Sequence, residues 1–225
     1  MSNRDTIFGK IAKGLNAGRD DTARRKVVDG YIADRLRHPT PARVAGKSPA
    51  EHLALFKQHL TSQSATVLEA AAAADVPSLI ANYLRQNNLP ARLAVGDDAY
   101  LAALPWEKEP ALERKTGRAS PTDEIGLSHA TAAIAETGTL MLASGADNPV
   151  TINFLPETHI VVVEEKDMVG PYEDGWMKIR ARFGDRTMPR TVNMISGPSR
   201  TADIGGQLVT GAHGPRRMCV VLVKG

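Results

Sequence analysis

Apolar positions spaced three and four apart open the chain. They predict helices over Asp5–Leu15 and about Asp21–Leu36, the second with Val27, Val28, Tyr31, Ile32 and Leu36 on one face. His38-Pro-Thr-Pro41 stops that helix and starts a linker. Ser48-Pro49-Ala-Glu51 restarts a helix that runs to about Gln63. Ser48 serves as the cap, and Pro49 sits in the first turn, where its missing N–H costs nothing. Residues 1–63 form a helical N-terminal segment in this reading, and 64–225 an α/β domain.

From Ala65 the period changes. ATVLEA is a short strand, the alanines at 70–74 are a connection, and Asp75 caps a helix over Val76–Asn87. ARLAVG (91–96) is the next strand, and 105–120 is a charged, irregular surface excursion. Ala132–Ala143 reads as two strands meeting at a tight turn, where Gly138 takes positive φ; a helix through Ala135 is the competing pattern. HIVVVEE (159–165) is almost continuously apolar, as a central parallel strand covered on both faces requires. Asp174–Phe183 is a helix, and TVNMIS (191–196) and Met218–Val223 are strands. Strands alternating with helices predict a three-layer α/β/α sandwich with a mostly parallel sheet. There is no internal repeat.

At 225 residues, 24% charged and 42% hydrophobic, the chain fits one large core. No apolar run approaches the roughly 20 residues of a membrane-spanning helix. The first residues carry no secretory apolar stretch, so the expected compartment is the cytoplasm. The single cysteine, Cys219, excludes an internal disulfide framework and an iron–sulfur cluster held by this chain alone. Residues 1–47 hold eleven Lys or Arg against five Asp, so the N-terminal region is basic on a mildly acidic body. That asymmetry suits an acidic partner or a solvated helix face. Few aromatic residues, none interleaved with basic ones, argue against a single-strand nucleic-acid platform.

Several constellations bear on chemistry. PARVAGKS (41–48) ends like a phosphate loop, but Pro41 stands where the first glycine must be and no strand precedes it. His52 and His59 lie two helical turns apart, about 10 Å by rise, and the other histidines lack metal spacing, so no metal is expected. Glu136 is an isolated carboxylate among small apolar residues, followed by Thr137-Gly138-Thr139. Partial desolvation would suit it as a base or nucleophile; equally, it would accept hydrogen bonds at the turn. The stretch 195–215, ISGPSRTADIGGQLVTGAHGP, concentrates glycine, proline and hydroxyl side chains between apolar runs. Ser196, Gly197, Ser199, Arg200, Thr201 and Gly214 suit an anionic group, with Arg200 pairing in bidentate fashion. Asp203 is placed to orient His213 or Arg200, or to cap a helix after Thr201; His213 is a proton-transfer candidate or a turn residue.

Four ordered motifs then carry a resemblance: Ala133-Ile-Ala-Glu-Thr-Gly-Thr-Leu140, Phe154-Leu-Pro156 with His159-Ile-Val-Val-Val163, Ile195-Ser-Gly-Pro-Ser-Arg-Thr-Ala-Asp-Ile204 and Gly211-Ala-His-Gly-Pro215. Over about residues 65–223 the chain closely resembles the LUD domain, specifically the lactate-utilization protein C family. The resemblance implies a fold like glucosamine-phosphate deaminase, ribose-phosphate isomerase and CoA transferases. It also implies a place in a multi-protein system oxidising L-lactate to pyruvate, with companion proteins carrying the cysteine-rich and iron–sulfur machinery. Two departures stand out. Gly205-Gly206 follows Ile204 where the family usually has Glu, and Val150–Asn153 lacks the family's common Arg.

The expectation is therefore a cluster-free accessory subunit that binds a small anion or partner at Thr137, Gly138, Thr139 and the 195–215 loops. Glu136 and His213 are its proton-transfer candidates. The alternatives are a stand-alone CoA-transferase-like or sugar-phosphate-type enzyme using Glu136, and a nucleic-acid-associated protein using the basic segment. Glu136, Ser199, Arg200, Asp203 and His213 are expected to line one pocket at the carboxyl edge of parallel strands.

Overall fold

The computed structural model describes residues 3–14, 21–34, 39–204 and 207–224, with side chains for all of these except 202–204 and 207. Packing divides the chain into Met1–Pro39 and Thr40–Gly225. The first unit contains helices α1 (Asn3–Gly14) and α2 (Thr22–Asp34), neither with a buried residue. Their apolar stripes, Ile7, Phe8 and Ile11 on one and Val27, Val28, Tyr31 and Ile32 on the other, are exposed.

The second unit runs α3 (Pro49–Ser62), β1 (Thr66–Ala70), α4 (Val76–Gln86), β2 (Arg92–Val95), α5 (Ala99–Ala102), β3 (Glu113–Thr116), β4 (Ile125–His129), β5 (Ala132–Ile134), β6 (Thr139–Ala143), α6 (Val150–Phe154), β7 (Thr158–Glu164), β8 (Met168–Val169), α7 (Tyr172–Phe183), β9 (Val192–Ile195), β10 (Arg200–Ile204), β11 (Gln207–Thr210) and β12 (Arg217–Val223). Ser48 starts α3 with a reciprocal cap: its Oγ accepts from the Glu51 N–H, and its own N–H donates to Glu51 Oε2 at 2.8 Å. Phe56 and Leu60 of α3 are fully buried against Val161, Val163, Val220 and Leu222. Each such burial stabilises by about 1.5–3 kcal/mol. The helix that the sequence pattern groups with the N-terminal segment thus packs as part of the α/β body.

The main sheet is parallel throughout, in the order β1-β12-β7-β4-β2-β3. Its alternating residues feed two cores, because successive side chains point to opposite faces. Ile160, Val162, Cys219 and Val221 face α4, while Val161, Val163, Val220 and Leu222 face α3 and a second sheet. That second sheet, β8-β5-β6-β9, is mixed, and its own alternation repeats the device. Ala133, Leu140 and Leu142 turn to the main sheet, and Ile134, Met141 and Ala143 to α7. The α/β architecture with a mostly parallel sheet is as the pattern predicts, with a small sheet beside α3 on one face.

Local differences have local causes. The two strands around Gly138 form as expected, with Gly138 at φ +67°. Asp75 stands at the N-cap of α4 as expected, but its carboxylate makes no capping bond to that helix; it accepts from the Ala72 N–H at 3.0 Å, one turn earlier. The 105–120 excursion includes β3, an edge strand paired to β2, where polar side chains mask the periodicity. TVNMIS forms β9, but it pairs antiparallel to β6 in the second sheet. Part of the 195–215 loop is a hairpin, β10 with β11.

Candidate functional site

Two segments meet where β9 ends and β12 begins. Ser196–Ser199 leaves β9, and His213–Pro215 leads into β12. The Ser199 N–H donates to Pro215 O at 2.8 Å, the Gly211 N–H to Ser199 O at 2.9 Å, and the His213 N–H to Ser199 Oγ at 3.3 Å. Between these segments and α6 lies a cavity of about 250 Å³. Ser196, Gly197, Ser199, His213 and Gly214 line it with Asn153, Phe154, His159, Met194 and Met218.

The floor of the cavity is polar although it is buried. Asn153 is 0% exposed and His159 1%. His159 Nε2 lies 2.9 Å from Ser128 Oγ, which donates to Asn153 Oδ1 at 3.1 Å. Asn153 Nδ2 is buried and finds no hydrogen-bond partner among the described residues. An unmatched buried donor costs roughly 1–3 kcal/mol, and this one belongs to a residue that lines the cavity. Burial opposes charging of the His159 imidazole and brings its pKa down to about 3. Three elements position this relay: β4 supplies Ser128, α6 supplies Asn153 and β7 supplies His159. Gly126 makes it possible, since a Cβ there would stand 2.5 Å from Ile152 O and hold α6 away from β4.

Beside the cavity, the Glu136–Thr139 turn is a hydrogen-bonded buttress. Thr139 Oγ1 lies 2.7 Å from Ser196 Oγ and 2.7 Å from Thr137 Oγ1, and Tyr172 Oη lies within 2.9 Å of both threonine hydroxyls. Gly138 lets the turn sit on α3, where a Cβ would fall 2.5 Å from the His59 Cβ. Glu136 is 5% exposed, and its Oε1 accepts from Arg43 Nη2 at 2.6 Å and Nε at 3.0 Å. It does not line the cavity. Arg200 is exposed and donates to Gln63 Oε1 at the end of α3, and Thr201 lies opposite Val209 in the hairpin. The Asp203 side chain and Gly205-Gly206 lie outside the described residues.

The structure therefore joins Ser196, Gly197, Ser199, His213 and Gly214 in one cavity and joins Thr137 and Thr139 to its rim through Ser196. Glu136 and Arg200 are not among the lining residues. The shared edge is the expected one, for a different reason. β5 and β9 both run antiparallel to β6, so the residues after each emerge on the same side of the small sheet. At the main sheet the cavity meets the amino ends of β7 and β12, the edge opposite to the one expected. Asn153 and Ser128 carry no sequence signal of their own. His159 does: it is a histidine near the start of an otherwise apolar strand.

At the other end of β4 and β7, ligand atoms of His129, Glu164 and Asp167 lie within 4.8 Å of one another, the one such trio among the described residues. Lys166 pairs with Glu164 and Lys178 with Asp167. Asp98 lies beside His129 Nδ1 at 3.5 Å. Burial raises the Asp98 pKa, and hydrogen bonds from His129 and the Leu101 N–H outweigh it, for a net lowering. An iron–sulfur cluster does not fit the donor set: Cys219 is fully buried in β12, and burial pushes its thiol up to about 12.

The LUD domain matches residues 53–223, which takes in both sheets and every element of the cavity. The chain belongs to the LUD-domain family. Among curated relatives it is 35% identical over 114 residues to lactate utilization protein C of Halalkalibacterium halodurans, covering 50% of this chain and 49% of that one. It is 30% identical over 120 residues to the protein of that name from Bacillus subtilis, 53% of this chain and 50% of that one. The LUD chain thus matches about half the length of these relatives. An uncharacterized protein of Neisseria meningitidis serogroup B aligns at 26% identity over 99% of this chain and 94% of its own. A solved DUF162 family protein from Deinococcus radiodurans shares the fold, with a TM-score of 0.58 and 24% identity over 79% of this chain and 99% of that one. No helix among the described residues is long and apolar enough to cross a membrane.

Proposed function

We propose that this LUD protein acts in lactate utilization as a cluster-free component that binds a small organic molecule in the cavity between residues 196–199 and 213–215. Lactate oxidation to pyruvate releases two electrons and two protons. In this reading the electrons pass to iron–sulfur and cysteine-rich partner proteins, because this chain has one cysteine, and it is buried. The observation that carries the cavity assignment is the convergence of Ser196, Ser199, His213 and Gly214, from two separate segments, on one opening. The pathway assignment is supported by relatives named lactate utilization protein C. Ser199 shapes the mouth by accepting from the His213 N–H, and His213 is the proton-transfer candidate among the lining residues. Glu136 serves in this reading as the anchor of Arg43.

The stand-alone CoA-transferase or sugar-phosphate reading requires the Glu136 carboxylate at the ligand, and its pairing with Arg43 away from the cavity lends that reading no support. The test is genetic. Deleting the gene should abolish growth on L-lactate as sole carbon source and leave growth on pyruvate intact. The native gene should restore it, and a Ser199→Trp variant that fills the mouth should not. Undiminished growth of the deletion strain on L-lactate would refute the assignment.

A further inference from the structure

A second cavity, sharing no lining residue with the first, opens at the carboxyl edge of the main sheet. β2 and β3 end side by side there, with Val95 opposite Thr116, and lead into Asp97 and Arg118. In open parallel sheets this is the edge where ligands bind. The 144–151 segment and Thr191 close on it through hydrogen bonds. The Asp97 N–H donates to Ala146 O at 3.0 Å, the Ala119 N–H to Thr151 Oγ1 at 3.0 Å, and the Thr191 N–H to Ser144 Oγ at 2.9 Å. Gly96 admits the crossing, since a Cβ there would run into Asp147 O. The space is about 760 Å³, within the ~300–1,000 Å³ usual for small-molecule sites.

Arg118 and Arg190 line this cavity, and both are exposed. Neither has an acidic partner among the described residues. Asp147, beside the lining residue Ala146, is held by Arg182, and Asp123 is held by Lys115. Asp97 is the one carboxylate among the lining residues, so two cations face one anion. Ser144 Oγ and Thr151 Oγ1 each accept a backbone N–H, and each hydroxyl therefore keeps its own hydrogen to donate. We propose that this cavity binds a phosphate monoester, with Arg118 and Arg190 as the charge partners of the phosphoryl group and the Ser144 and Thr151 hydroxyls as further donors. A phosphoryl group presents three acceptor oxygens and close to two charges, which two guanidinium forks and two hydroxyls match. A single carboxylate presents two oxygens and one charge. Inorganic phosphate leaves most of the space unfilled, and Ala146 and Val150 supply apolar surface for an organic body.

The test follows the amide signals of Gly117 and Gly145 by NMR while the full chain is titrated at constant ionic strength. The probes are phenyl phosphate, inorganic phosphate, and phthalate, which carries the same ring with two carboxylates. Phenyl phosphate should shift both signals and leave those of Gly197 and Gly214, in the first cavity, in place. It should bind at least about tenfold more tightly than phthalate or inorganic phosphate, the worth of one charge-assisted hydrogen bond. Arg118→Gln and Arg190→Gln should each lose at least about tenfold in phenyl phosphate affinity with unchanged melting. Arg186→Gln, at an exposed arginine outside the lining, should change that affinity less than about twofold. If a lining variant does not fold, the comparison of probes on the native chain decides. Equal losses in all three variants would reduce the binding to general charge and overturn the site. Phthalate binding as tightly as phenyl phosphate would overturn the phosphoryl assignment, and inorganic phosphate doing so would overturn the organic body. Shifts confined to Gly197 and Gly214, or no shift with any probe, would overturn the location.

Discussion

Ser128 Oγ and His159 Nε2 stand 2.9 Å apart in the core, joining β4 to β7 at the cavity floor. The His159 ring is neutral in the folded chain, because burial leaves its pKa at about 3. In the unfolded chain the ring takes a proton near pH 6.5. Between these values the unfolded state binds more protons, so the contribution is complete above about pH 6.5 and is lost as pH falls toward 3. While only the unfolded ring is charged, the slope for this one group is ~1.4 kcal/mol per pH unit. Denaturant unfolding at pH 4 to 6 should show His159→Gln with a shallower decline than the native chain, whatever its absolute stability. Parallel declines would place the acid sensitivity elsewhere.

Glu136 and Arg43 make a pair of unequal exposure, with side chains 7% and 60% exposed. Solvent around the guanidinium screens the attraction, so Glu136→Gln should cost about 1 kcal/mol or less. The variant should bind L-lactate within about twofold of the native chain, since the carboxylate does not line the cavity. A large loss of L-lactate affinity with unchanged stability would restore Glu136 to the ligand site.

The hydroxyl chain Tyr172–Thr137–Thr139–Ser196 ties the turn to the first cavity segment. Thr139→Val keeps the shape and removes the bond to Ser196, leaving neighbouring hydroxyls to find new partners. Melting should fall by a few degrees, in line with about 1 kcal/mol for one hydrogen bond. L-lactate affinity should weaken about threefold as the 196–199 segment loosens. Ser196→Ala should show the same signature, and the double variant should show less than the sum if the two act through one bond.

How legible the fold was depended on whether a signal was local. The cap at Ser48, the turn at Gly138 and the apolar run of β7 each lie within a few consecutive residues, and each formed as the pattern predicts. The antiparallel placement of β9 was not local: an isolated four-residue strand states its period but not its partner. The site divides the same way. Ser196, Ser199 and His213 stand out by composition, whereas Ser128, Asn153 and His159 come from three separate elements and become a relay only when α6 crosses Gly126. Glu136 attracted a catalytic reading because its sequence neighbours are apolar; its spatial neighbour, Arg43, lies 93 positions away.

The division of the chain at Thr40 gives the last expected outcome. Helices α1 and α2 bury no side chain, so removing residues 1–39 takes no described core residue away. A chain beginning at Thr40 should unfold cooperatively with a midpoint within a few degrees of the full chain, measured by circular dichroism. A chain beginning at Ser64 loses Phe56 and Leu60, both 0% exposed, and bares the face of Val161, Val163 and Val220. Burial of the two side chains alone stabilises by about 3–6 kcal/mol, a large part of the 5–15 kcal/mol typical of a domain. The shorter chain should therefore aggregate or melt without a sharp transition. Loss of Gln63 would also free Gly197, whose backbone at φ +153° packs where a Cβ would stand 2.8 Å from the Gln63 Cβ. Cooperative unfolding of the Ser64 chain would show that α3 is an appendage and not part of the core, while failure of the Thr40 chain would assign α1 and α2 a folding role that their exposed surfaces do not suggest.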